Sequence, residues 1–139
     1  MNVSELLSDL TVHYNGIIRQ TASRLGLTAP QAFHLISIPH SGISMSRLSR
    51  KLGLDTSTLT RNIQKLEKMG LVERFSSSYD KRVQNTVLTH EGNEIVKKME
   101  GLLIETNQLI MDQIDLDDQE HISTVLEKLV WSMDCIREE

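Results

Sequence analysis

Apolar residues recur along this chain at two different periods, and the change of period divides it into helices and strands. From Asn2 to Leu25, the residues Leu6, Leu7, Leu10, Tyr14, Ile17, Ile18 and Leu25 fall near a 3.6-residue repeat, which predicts an amphipathic helix. Asn2 and Glu5 have the spacing of a capping box, and Gly26 ends the run. A second helix starts at Thr28, with Pro30 in its first turn and Thr28 and Gln31 again three apart. Ala32, Phe33, Leu35, Ile36 and Ile38 supply its buried face; Pro39 and Gly42 stop it.

Two further helical segments follow closely. Ser46 to Leu52 places Leu48 and Leu52 four apart, with Ser44 or Ser46 as cap. Gly53-Leu54-Asp55 makes a tight turn. Thr56 to Met69 is the next helix, capped by Asp55 or Thr56 and closed by Gly70.

The pattern then shifts toward β preference. Leu71 to Phe75 and Gln84 to Leu88 read as two short strands, and a short first strand is expected near Ile43. The polar stretch Ser76 to Val83 between them reads as a hairpin loop with Lys81 and Arg82 near its tip. A long helix runs from Thr89 to about Met111, carrying Ile95, Val96, Met99, Leu102, Leu103 and Leu109. An acidic loop spans Asp112 to Asp118. Asp117 and Glu120 are expected to cap a last helix with Ile122, Leu126, Leu129, Val130, Met133 and Ile136. The fold class is therefore mainly α: six helices with a two- to three-stranded β-wing, in winged helix-turn-helix order.

Charge sharpens this picture. The whole chain carries −4. Residues 47 to 89 hold nine basic and four acidic side chains, a local +5, and the remainder is −9. One region is thus suited to a polyanion and the rest is not. With Leu59 as origin of a helical wheel at about 100° per residue, Leu59, Ile63 and Leu66 cluster on one side. Ser57, Arg61, Gln64 and Lys68 point the other way, with Thr58 and Lys65 at the flank. Ser57, Thr58, Arg61, Gln64 and Lys65 are therefore candidate DNA-contacting residues: their donors and acceptors suit base edges and phosphates in a major groove. The helix N-terminus is expected to offer backbone N–H groups to a phosphate. Lys81 and Arg82 suit an adjacent minor groove. Asp80 beside them is expected to hold Arg82 in position through paired hydrogen bonds.

Three segments together resemble the MarR (multiple antibiotic resistance regulator) family: Leu48-Ser49-Arg50-Lys51-Leu52-Gly53, Asp55-Thr56-Ser57-Thr58-Leu59-Thr60-Arg61, and Leu66-Glu67-Lys68-Met69-Gly70-Leu71-Val72-Glu73-Arg74. The wing residues Asp80-Lys81-Arg82 and the following Leu88-Thr89-His90-Glu91-Gly92 extend the likeness over nearly the whole chain. The resemblance implies a single domain over residues 1–139, with a winged helix-turn-helix lobe over about 28–89 and dimerisation helices over 1–25 and 90–139. It implies a homodimeric, double-stranded-DNA-binding transcription regulator, a repressor by expectation, acting on a pseudo-palindromic operator. It also implies release by a small aromatic ligand and functional sensitivity at Asp80 and Arg82. His13, Tyr14, Ile17, Phe33 and His34 are the candidate lining of a ligand pocket; ordinary core packing is the competing reading for each. A second reading keeps the winged fold as a protein-interaction module without DNA binding.

Other chemistries find little support. Aromatic residues are 4% of the chain, too few for platforms that stack single-stranded bases. The single cysteine, Cys135, allows no intrachain disulfide and is expected to lie buried near the dimer interface, inert. Histidines 13, 34, 40, 90 and 121 lack close metal-ligand spacing, so no metal and no cofactor is expected. There is no nucleophile elbow, P-loop or dinucleotide fingerprint, so an enzyme is not expected. The N-terminus has no basic stretch leading into an apolar one, and no run approaches a membrane span; the expected location is cytoplasmic.

Overall fold

The computed structural model describes residues 1–138. The elements run α1 (Val3–Arg24), α2 (Ala29–Ile36), β1 (Ile43–Ser44), α3 (Met45–Leu52), α4 (Thr56–Lys68), β2 (Val72–Ser76), β3 (Gln84–Leu88), α5 (His90–Met111) and α6 (Leu116–Glu138). The six helices and the order of the wing agree with the sequence reading. The three strands form one antiparallel sheet in the order β1-β3-β2, with Ile43 opposite Thr86 and Val72 opposite Leu88.

Local signals fix most boundaries. Asn2 and Glu5 close a reciprocal capping box on α1, and Thr28 and Gln31 do the same on α2. Ser44 caps α3 and Asp55 caps α4. Gly53 ends α3 with φ +69°, a left-handed conformation that costs glycine nothing.

Contacts divide the chain into two compact units, one ending at Leu103 and one beginning at Ile104. In the first, Ile18, Ala22, Leu35, Leu48, Leu59, Ile63, Leu66 and Met99 are almost fully buried and form the centre of a continuous apolar core. The buried Thr86 hydroxyl on β3 meets the Met45 sulfur at 2.9 Å, so no polar group is stranded there.

One junction of this unit is unusually tight. The Leu71 N–H bonds to the Leu66 carbonyl, and the Leu71 carbonyl accepts from the Thr89 N–H. Leu71 thus closes α4, which is why β2 begins one residue later than the pattern of apolar residues predicts. Thr89 Oγ1 donates to the Gly70 carbonyl and accepts from the Gly92 N–H. Gly92 lies against the Leu71 carbonyl so closely that a Cβ would overlap its oxygen.

The second unit holds the last turns of α5, the loop at residues 112–115, and α6. Here the expected cap is corrected. α6 starts at Leu116, so Asp117 lies within the first turn rather than at its cap. The Asp115 carbonyl accepts the Gln119 N–H, which sets the start. The Gln119 side chain donates to the carbonyls of Met111 and Ile114, satisfying the end of α5. Among the described residues of α6 none is buried, and Cys135 is exposed in this single chain. No helix among the described residues is long and apolar enough to cross a membrane.

Candidate nucleic-acid interface

α4 is built with two unlike faces. Leu59, Ile63 and Leu66 recur at four and three residues, and all three are fully buried. Their burial fixes the roll of the helix. Ser57, Arg61, Gln64 and Lys65 are consequently exposed, and Thr58 is half-buried at the edge. The five candidate residues of α4 therefore lie where the wheel places them.

At the start of α4 the Asp55 cap takes up one of the first N–H groups, that of Thr58. Asp55 accepts from the Thr58 N–H at 2.8 Å, from Ser57 Oγ at 2.7 Å and from Thr58 Oγ1 at 2.9 Å. These three donors, led by the Thr58 N–H and helped by the nearby Arg61 charge, hold the Asp55 carboxyl down at about 2. Arg61 in turn reaches back, with Nη2 3.5 Å from Thr58 Oγ1.

At the wing tip, Asp80 and Arg82 are paired, as the sequence reading expects. Nε and Nη2 of Arg82 donate to the two carboxylate oxygens, each at 3.2 Å, and the Arg82 backbone N–H adds a bond at 3.0 Å. The Arg82 side chain, then its backbone N–H, lower the Asp80 pKa. The side chain of Arg82 is nonetheless 91% exposed, and Lys81 is exposed beside it.

Wing and helix are fastened to each other. Arg74 on β2 donates through Nε to Glu67 on α4 at 2.8 Å, and both side chains are partly buried. Lys51 on α3 donates to the Ser37 carbonyl at the end of α2. Two of the nine basic residues counted in the sequence thus do structural work.

The five candidate pocket residues are not brought together in one cavity. His13 and Tyr14 are exposed, Ile17 and Phe33 are half-buried, and His34 is buried. His34 lines a cavity of about 230 Å³ with Thr28, Pro30, Gln31, Asn62, Lys65 and Leu66, and none of the other four lines it. Its ring is fully engaged. The Pro30 carbonyl can only accept, so Nδ1 carries the proton. Nε2 then accepts from Asn62 Nδ2 on α4 at 3.1 Å. Burial lowers the His34 pKa, and the Pro30 bond opposes this only in part. Sequence reasoning missed Asn62 and Asp55 as functional neighbours. For Asp55 the signal was present: a carboxylate followed at two and three residues by hydroxyls makes local turn bonds. For Asn62 there was none, since its partner is 28 residues away. Among the described residues no group of His, Cys, Asp and Glu is placed to hold a metal ion.

Residues 27–83, which contain α2 to the wing tip, match the model of the MarR family. Over these residues the chain is similar to the MarR family. Wild-type MarR from E. coli in its apo form is similar over 93% of this chain and 97% of its own, at 25% identity and a TM-score of 0.81. Another MarR crystal structure superposes with a TM-score of 0.85 at 22% identity, covering 99% of this chain and 95% of that one. The S. aureus MepR–DNA complex superposes with a TM-score of 0.74 at 20% identity, covering 95% and 98%. These structural matches cover 93% or more of this chain and so extend the shared fold well beyond residues 27–83.

Proposed function

We propose that this chain is a sequence-specific regulator of transcription, a repressor, that binds double-stranded DNA as a homodimer. The observation that carries this reading is the division of α4. Three buried apolar residues lock its roll, and Arg61, Gln64 and Lys65 are left outward beside Ser57. A helix so held can enter a major groove with its reading face fixed in advance. Arg82, exposed and oriented by Asp80, supplies a minor-groove contact from the wing. The protein bound to DNA in the MepR complex has the same fold.

The dimer rests on apolar surface. In α6, Val125, Val130, Trp131 and Ile136 are all more than half exposed, as are Val3, Leu6, Leu10 and Val12 in α1. A 23-residue helix with no buried side chain gains little from its own chain, because helices are stabilised mainly by packing an apolar face. A second copy is the partner that fits, with residues 1–25 and 90–139 as the dimerising segments and 28–89 as the DNA-binding lobe. Two-fold symmetry then sets two half-sites about one turn, roughly 10 base pairs, apart. A small aromatic effector completes the reading. The α2–α4 cavity, lined among others by His34, Asn62 and Lys65, supports this part of the reading, because it adjoins the helix proposed to read DNA.

Selection of genomic fragments by the purified chain, followed by footprinting, tests the proposal. Two protected half-sites spaced by about one turn are expected. Retention of no fragment, with other proteins captured instead through the cationic face, favours the interaction-module reading.

A further inference from the structure

The contacts of Asp55 fix the hydrogen-bonding polarity of two hydroxyls on the outward side of α4. Its carboxyl, held at about 2, is ionised at neutral pH and has no proton to give. Ser57 Oγ and Thr58 Oγ1 must therefore be the donors in their bonds to it. A hydroxyl owns one proton and two lone pairs. Exposed Ser57 has spent its proton and turns only lone pairs outward. Thr58 Oγ1 also faces the Arg61 guanidinium, which can only donate.

We propose that Asp55 determines sequence specificity without touching DNA, by making Ser57 an acceptor-only reader of base edges next to the donor-only Arg61. This rests on the reading that α4 lies in the major groove. There, adenine presents its N6 amino donor where guanine presents O6, and cytosine presents its N4 amino donor where thymine presents O4. An acceptor-only hydroxyl accordingly prefers A over G, or C over T. A serine with a free proton makes no such choice, because it can donate to O6 or O4 as readily. For the same reason Ser57 has nothing to offer a phosphate oxygen. Its contribution is to selectivity rather than to electrostatic affinity. Arg61 seeks the opposite edge, the O6 and N7 acceptors of guanine. The outward face of α4 thus carries an acceptor and a donor set side by side, a pattern that a base sequence can match or violate.

The test is selection from a randomised duplex library with the full chain in three forms: wild type, Ser57→Ala and Asp55→Gly. Glycine is tolerated at a helix N-cap with little loss of stability. It offers no side-chain oxygen, so the Ser57 hydroxyl loses the acceptor it shares with the Thr58 N–H and its proton is released. The position whose preference is lost in Ser57→Ala is expected to be A over G, or C over T, in the wild type. The preference there is about three- to tenfold, the worth of one hydrogen bond. Asp55→Gly is expected to relax that same position while binding all sequences more tightly, since a negative charge is removed. A second measurement needs no Asp55 variant: replacing the selected base by its analogue without the amino group weakens wild type and leaves Ser57→Ala unaffected. The inference is overturned if the Ser57-dependent position prefers G or T, if no position depends on Ser57, or if the preference survives intact in folded Asp55→Gly. A wild type that selects no sequence at any salt concentration instead overturns the DNA-binding reading itself.

Discussion

Asp80 and Arg82 meet edge to edge at the tip of the wing, with Nε and Nη2 of the guanidinium each 3.2 Å from a different carboxylate oxygen. The pair is short-range, two residues apart, and it leaves Arg82 projecting into solvent. Such a geometry narrows the rotamers of a long side chain before any ligand arrives. Replacing Arg82 by alanine is expected to weaken DNA binding and to reduce the slope of log affinity against log salt by about one unit per lobe. Asp80→Ala is expected to act in the other direction on non-specific DNA, which it binds more tightly, while discrimination between operator and random duplex falls. Anisotropy titrations at several salt concentrations measure both.

The roll of α4 can be tested apart from its contacts. Ile63→Ala removes a fully buried side chain and is expected to cost about 2–5 kcal/mol of stability. Gln64→Ala, one residue along and exposed, is expected to stay within about 0.5 kcal/mol. Denaturant melts of the two variants should separate by that margin, and equal melts would mean that the helix is rolled differently.

Gly92 predicts a different kind of failure. A methyl group there overlaps the Leu71 carbonyl oxygen, which is backbone and cannot rotate away. Gly92→Ala is expected to destabilise by about 1–3 kcal/mol or more despite its better helix propensity. The thermal midpoint should drop by several degrees, whereas Gly101→Ala, which meets no atom, should leave it level or raised.

His34 gives the fold a mild acid sensitivity. Its pKa in the folded chain lies below the ordinary value of about 6.5, so on acidification the unfolded chain takes up the proton first. Stability is therefore unaffected by this group above about pH 6.5 and is lost as pH falls from there toward the lowered folded pKa. His34→Gln keeps an acceptor for Asn62 and cannot titrate. Melts at pH 7.5 and pH 5.5 are expected to differ less for His34→Gln than for wild type. Asp55 and Asp80 act lower: their depressed pKa values contribute stability that is lost only as pH falls below the usual carboxylate range.

These cases also mark how far the chain could be read before its structure. Where a residue's role depends on neighbours within one turn, the sequence reveals it. The capping boxes at Asn2 and Thr28, the apolar stripe of α4 and the Asp80–Arg82 pair are of this kind. Asp117 shows the limit of such local rules, since a capping spacing one turn wide fits several starting points and the Asp115 carbonyl decides between them. Roles set by distant packing were hidden. The tie from His34 to Asn62, the Glu67–Arg74 bond and the contact of Gly92 with Leu71 join segments that no periodicity connects. His34 was legible as interior and as chemically interesting, yet its partner on α4 gives it a structural task that a pocket-lining role does not require.

The dimer makes its own prediction. Val130→Asp places a charge on the exposed apolar surface of α6, where a second copy is proposed to pack. Sedimentation at micromolar concentration should show dimers for wild type and monomers for the variant, with operator affinity lost in parallel. A wild type that sediments as a monomer would remove the basis for paired half-sites.

The claim on which the rest depends is that α4 and the wing form a cationic reading surface for duplex DNA. Equilibrium binding of the purified chain to its selected duplex, across a salt series, measures this directly. The account predicts tight binding at low salt that weakens steeply and log-linearly as salt rises. Absence of binding at low ionic strength, or tight binding indifferent to salt, would contradict it.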